Sequence, residues 1–310
     1  MRILILLLFC LQAMAVEPAR PKITGAAHVA LFVADVEKSR AFYKDLLGYG
    51  EPFDLKTPNG ELSLTFIKIN DRQYLELFPE KEKDSDRLNH VSVETEDIEG
   101  MRAYLAAKGV KVPEKLSNNR IGNRSFNVKD PDGHTLEFVQ YLAEGASVRE
   151  KGKFLGEQRI STKMAHFGIL VGNLEASQKF YHDILGFQEF WRGSRDGKIL
   201  NWVNMKVPDG DDYIELMLYD GAQPGPTKRG TAHHICLFVP DIEKAKADLE
   251  SRPASKGYSK PMEIRTGTNR KRQMNLYDPD GTRVELMEPH TIDGKPTPPS
   301  TATPPPTVSK

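Results

Sequence analysis

One short unit, His-x6-Asp or Asn, occurs four times in this chain, and any fold must satisfy all four copies in one register. The copies run from His28 to Asp35, His90 to Asp97, His166 to Asn173 and His234 to Asp241. Each ends a short apolar run and opens a segment with helical spacing. About fifty residues after each His, a Glu stands inside a second apolar run: Glu76 in YLELF, Glu137 in TLEFV, Glu215 in YIELML and Glu285 in RVELME. A register kept four times is an internal repeat of one supersecondary unit.

Within each copy the reading is strand, helix, then two or three strands. Asp35 is a good N-cap for VEKSRAFYKDLLG, and Gly48 suits the position just past that helix. LSLTFIKI and QYLELF read as strands joined by a turn. Modules alternate in type: SRAFYKDLLGY in the first matches SQKFYHDILGF in the third. The turns Asp130-Pro131-Asp132-Gly133 and Asp278-Pro279-Asp280-Gly281 mark the second and fourth. The predicted fold is α+β, with four βαβββ modules at 23–80, 88–142, 163–220 and 231–290. They group into domains 23–142 and 163–290. Residues 143–162 are polar and predicted as a linker, and 291–310, rich in Pro, Thr and Ser, as a disordered tail.

With 310 residues the chain can bury two ordinary cores. Its 43 basic and 43 acidic residues cancel, so no overall field points to nucleic acid or an acidic membrane surface. Residues 1–15 carry Arg2, an apolar stretch from Ile3 to Leu11 and Ala13-x-Ala15, the pattern of a signal peptide cleaved before Val16. The apolar stretch falls well short of the ~20 residues a spanning helix needs. The expectation is therefore a secreted or periplasmic protein with no membrane attachment after cleavage. Phe9 before Cys10 argues against a lipid anchor, and Cys236 is then the one cysteine left, so no internal disulfide forms.

Residues alternate faces along a strand, so a His at one strand's start and a Glu in a later strand can share a face. A lone His is usually structural, but a carboxylate in an apolar strand is costly unless paired or bound to a cation. That cost recurs at four matching places. Imidazole and carboxylate together suit a divalent ion such as Zn, Ni, Co, Mn or Fe(II). The expected metal ligands are His28, Glu76, His90, Glu137, His166, Glu215, His234 and Glu285. His233 is out of register by one residue, and with His134, His182 and His290 it is read as surface or structural.

The βαβββ module, its first-strand His, the terminal (L/I/V)E(L/F) and the DPDG turn resemble the vicinal oxygen chelate superfamily over nearly all of residues 23–289. That superfamily includes glyoxalase I, extradiol ring-cleavage dioxygenases, methylmalonyl-CoA epimerase, and fosfomycin and bleomycin resistance proteins. The resemblance implies modules paired into two cupped, incomplete barrels, each around a metal that binds a small substrate through adjacent oxygens. Two pairings satisfy the ligand list. A glyoxalase I-like pairing joins His28 and Glu76 to His234 and Glu285, and His166 and Glu215 to His90 and Glu137. The other pairs modules within each half.

The implied activity is that of a glyoxalase-type lyase or isomerase, with metal polarising a carbonyl and Glu137 and Glu285 as metal-bound proton shuttles. The first alternative is an Fe(II) extradiol dioxygenase using His166, His234 and Glu285. Its first half would usually lack ligands, and RTGTNRKRQMNLYDPDG lacks the expected His, though Tyr277 remains. The second is a non-catalytic binding protein of the bleomycin-resistance kind. Arg124 and Arg272, each six residues before a DPDG turn, are expected to hold a substrate carboxylate or phosphate. Either a monomer or a homodimer is expected.

Overall fold

A computed structural model describes residues 18–230 and 232–307; the expected signal peptide lies outside them. Among the described residues no helix is long and apolar enough to cross a membrane.

The first half contains strands β1 (Ile23–Val33), β2 (Asp54–Lys56), β3 (Leu62–Lys68), β4 (Tyr74–Pro79), β5 (Leu88–Thr95), β6 (Ser117–Asn118), β7 (Arg124–Lys129) and β8 (Thr135–Gln140). The second contains β9 (Met164–Val171), β10 (Gln188–Ser194), β11 (Leu200–Lys206), β12 (Tyr213–Leu218), β13 (His234–Phe238), β14 (Ile264–Thr266), β15 (Lys271–Tyr277) and β16 (Arg283–Thr291). Each half forms one eight-stranded sheet, in the orders β2-β3-β4-β1-β5-β8-β7-β6 and β10-β11-β12-β9-β13-β16-β15-β14. The first strands of paired modules, β1 with β5 and β9 with β13, run antiparallel at the centre. Modules are thus paired within each half, and the glyoxalase I-like exchange is not adopted.

The last residue of each repeat unit is a helix cap. Asp35 precedes α1 (Val36–Arg40), Asp97 precedes α2 (Ile98–Ala107), Asn173 precedes α4 (Leu174–Gln178) and Asp241 precedes α6 (Ile242–Ser251). Each cap side chain accepts a backbone N–H of its first turn. Short helices α3 (Ala146–Arg149) and α5 (Pro226–Arg229) lie between them. After α1 and α4 the chain continues in wider π turns, Ala41–Leu46 and Lys179–Ile184, over the matching Phe-Tyr pairs.

Strand residues alternate cleanly. Val29, Leu31, Leu75, Leu77, Val91, Val93, Leu136 and Phe138 face the helices, as do their second-half counterparts. All join one apolar core that runs through both halves. Polar contacts fasten the halves. Tyr43 donates to Asp278 of the fourth-module turn at 3.2 Å, and Tyr181 donates to Asp130 of the second-module turn at 3.0 Å. Gln73 holds Met164 by both backbone groups, and Asp212 accepts the Ala26 N–H.

Two connecting segments differ from expectation. Residues 143–162 are folded onto the first half: buried Lys68 donates to the Glu150 and Lys153 carbonyls, and Ile160 N–H donates to Leu47. The tail is not disordered through residue 307. Thr297 bonds the Asn269 carbonyl, Ser300 N–H donates to Arg192, and Thr303 accepts from Leu200 beside a parallel bridge to Ile199. Composition misled because Pro needs no N–H partner. The few backbone groups left are matched by the open edge at β10 and β11.

Candidate metal centres

Alternation that sends apolar residues to the helices sends the interleaved residues into the hollow of each sheet. In β1, β4, β5 and β8 these include His28, Glu76, His90 and Glu137; in β9, β12, β13 and β16 they include His166, Glu215, His234 and Glu285. All eight are buried.

In the first cup the Nε2 atoms of His28 and His90 stand 2.9 Å apart. Glu137 lies 3.3 and 3.0 Å from them, and Glu76 lies 3.7 Å from each. In the second cup His166 and His234 Nε2 are also 2.9 Å apart. Glu285 lies 3.5 and 3.6 Å from them, and Glu215 lies 3.3 Å from His234. Ligands held at right angles around a divalent ion at ~2.1 Å are separated by about 3 Å. The donor sets therefore fit such an ion in both spacing and chemistry. His234 Nδ1 donates to the Ala232 carbonyl at 2.7 Å, which leaves its Nε2 lone pair for a cation. Gly168 makes room for that ring, since a Cβ there would fall 2.1 Å from it.

The two cups are electrostatically unlike. In the first, burial opposes charge on His28, but Glu76 and Glu137 outweigh it and push its pKa up to about 9. Burial likewise opposes ionisation of Glu137, yet His28 and His90 hold it well below the usual carboxylate range. In the second, burial pushes His166 and His234 down, with Arg283 adding to the effect. Burial and the nearby Glu285 push Glu215 up to about 8.

The linings differ too. Leu64, Phe66, Tyr74, Phe53, Phe78 and Tyr141 form a continuous apolar cluster in the first cup. In the second, a cavity of about 120 Å³ reaches the ligands and is lined also by Trp191, Trp202, Gln273 and Arg283. Arg124 and Arg272 do not enter the cups. They share strand faces with Phe126 and Val128 and with Met274 and Leu276, on the helix side. There Arg124 pairs with Glu99, and Arg272 with Glu288 and Glu243. A cup-facing cation that sequence reading missed is Arg283. Its signal was available, because it stands two residues before Glu285 and so shares its face.

The sequence model of the Glyoxalase/Bleomycin resistance protein/Dioxygenase superfamily matches residues 25–138 and 163–286. The chain belongs to that superfamily. Among curated relatives, glyoxalase I of Saccharomyces cerevisiae is 25% identical over 222 residues, covering 66% of this chain and 64% of its own length, just under two thirds. The lactoylglutathione lyase of Schizosaccharomyces pombe is 23% identical over 306 residues, 84% of this chain and 95% of its own. Among solved structures, the Mn(II)-bound glyoxalase from Novosphingobium aromaticivorans superposes with a TM-score of 0.67 at 18% identity, covering 93% of this chain and 90% of its own. The 2,3-dioxygenase LapB from Pseudomonas sp. KL28 gives 0.67 at 18%, covering 90% and 97%. At such identity these two establish the fold.

Proposed function

We propose that this chain is an exported, divalent-metal-dependent lyase or isomerase of glyoxalase type, acting on a small molecule through adjacent oxygens. The observation that carries the reading is the two-His, two-Glu set converging in each cup. The names of the curated relatives point the same way. The ion would be held by His28, Glu76, His90 and Glu137, and by His166, Glu215, His234 and Glu285. When bound, it supplies Lewis-acid polarisation of a carbonyl.

This chain's residues do the rest. The imidazoles orient the donor set, His234 through its bond to Ala232. Glu285, 3.5 and 3.6 Å from the two imidazoles, accepts a substrate proton and returns it one atom away. Glu137 is the counterpart in the first cup, where Glu76 stands farther from the imidazoles. In the first cup the apolar walls keep bulk water from that proton.

A second reading, an Fe(II) extradiol dioxygenase using His166, His234 and Glu285, is favoured by pairing within halves rather than by glyoxalase I-like exchange. One experiment separates the readings. Protein purified anaerobically is analysed for metal, then assayed for lactoylglutathione lyase activity and for oxygen uptake on catechols. Two non-iron metals per chain with lyase or isomerase turnover support the proposal. Iron with oxygen uptake moves the assignment to the dioxygenase. No metal after reconstitution removes both and leaves a binding protein. N-terminal sequencing of protein recovered from the periplasm or medium should begin at Val16; retention of residues 1–15 there would overturn cleavage, and absence of the protein from those fractions would overturn export.

A further inference from the structure

The second cup holds a part-buried cation, Arg283, two of whose guanidinium nitrogens have no hydrogen-bond partner. Arg283 Nε and Nη2 are both inaccessible and make no hydrogen bond. Leaving buried guanidinium nitrogens unpaired is expensive, and it is tolerated where something else completes them. Its place in the sheet is fixed. Arg283 sits opposite His234 across β13 and β16, lines the cavity with Glu215 and Glu285, and is one residue pair from the Glu285 donor. Trp191 Nε1, a donor with no other capacity, is also buried without an acceptor on the same cavity wall.

With a divalent ion, Glu76 and Glu137 leave the first cup neutral, and Glu94 there is paired with Arg72. In the second cup Glu215 and Glu285 balance the ion, so Arg283 on the cavity wall and half-buried Lys271, within electrostatic reach of Glu285, remain as excess positive charge. The first-cup residue at the place of Arg283 is Thr135. The imbalance is therefore confined to one half.

We infer that the second cup takes a substrate bearing a carboxylate in addition to its chelating oxygens, with Arg283 as the anchor for that carboxylate. This rests on the metal-chelate reading above and adds the substrate class. The first cup, neutral and walled by aromatic side chains, takes no such group.

The test uses the zinc-loaded chain and two bidentate oxygen ligands of equal length, succinic monohydroxamate and butyrohydroxamate, which lacks the carboxylate, titrated calorimetrically. The carboxylated probe should bind one site per chain at least about tenfold more tightly than the other. Arg283→Gln should bring the two probes to parity, the loss falling mainly on the carboxylated probe, and Arg283→Lys should keep part of the preference. Equal binding of both probes by the wild-type chain, or a preference that survives in Arg283→Gln, overturns the anchor and leaves the chelate reading standing. Failure of both hydroxamates to bind the zinc-loaded chain overturns the chelate reading and the anchor together.

Discussion

Asp130 and Asp278 open identical turns and each accepts a Tyr hydroxyl from the other half, yet they titrate in opposite directions. Burial, with Asp280 adding repulsion, pushes Asp278 up to about 7. Burial pushes Asp130 the same way, but the bonds from His134 outweigh it and hold it below its ordinary value. The fourth module has Thr282 where the second has His134, and Thr282 offers only a backbone N–H. A carboxyl with a raised folded pKa contributes stability that is full below its unfolded value, near 4, and is lost as pH rises toward about 7. A depressed one contributes above its unfolded value and loses it as pH falls. Asp278→Asn should therefore gain stability relative to wild type as pH rises from about 4 to 7, by up to a few kcal/mol. Asp130→Asn should lose stability relative to wild type as pH rises from about 3 to 5, and change little above that. Urea unfolding at about pH 3, 5 and 7 checks both, and parallel curves for the two variants would contradict the assignment.

At the scale of elements, the repeat unit does two jobs. Its His faces the cup, and its Asp or Asn caps the following helix. Replacing Asp241 by Ala should cost about 1 kcal/mol, because Glu243 and Lys244 N–H lose their acceptor. The cost should appear in thermal unfolding and leave metal stoichiometry unchanged. Gly168→Ala should do the reverse, weakening metal binding in the second cup by displacing the His234 ring, with little effect on the first. Cadmium or zinc titration of each cup would show it.

The strands, helix starts and all eight convergent side chains were legible in the sequence because period-2 alternation and capping are local rules. Other features were not. Which modules share a cup depends on how two sheets close, and the repeat is the same under either pairing. The distance of Arg124 and Arg272 to a turn does not tell which face of the strand they take. By parity with Phe126 and Met274 they belong beside the helices. The tail looked disordered because its order comes from a distant sheet edge and not from its own periodicity.

For the molecule as a whole, the two centres should be separable. His28→Ala and His166→Ala should each remove about one of two metals per chain, since each centre would lose one of its four donors. Elemental analysis of both variants decides this; loss of both metals from either variant would mean a single shared site. Removing residues 297–310 should lower the melting temperature through loss of the contacts to Asn269, Arg192 and Leu200, and should loosen the hairpin that carries Trp191. Hydrogen exchange at β10 and β11 would report it.

The reciprocal Tyr–Asp bonds between halves carry a further consequence. Each sheet's last turn is completed by a tyrosine that the other half owns, and one apolar core runs behind both. Severed at the connector, neither fragment would be a self-sufficient unit. A lone first half would still possess both a donor, Tyr43, and an acceptor, Asp130, so two copies could satisfy one another where the natural chain uses its own second half. The covalent duplication thus works as a tethered heterodimer. The tether frees each cup to change its walls independently, and the second cup's Arg283 opposite the first cup's Thr135 is what that freedom looks like.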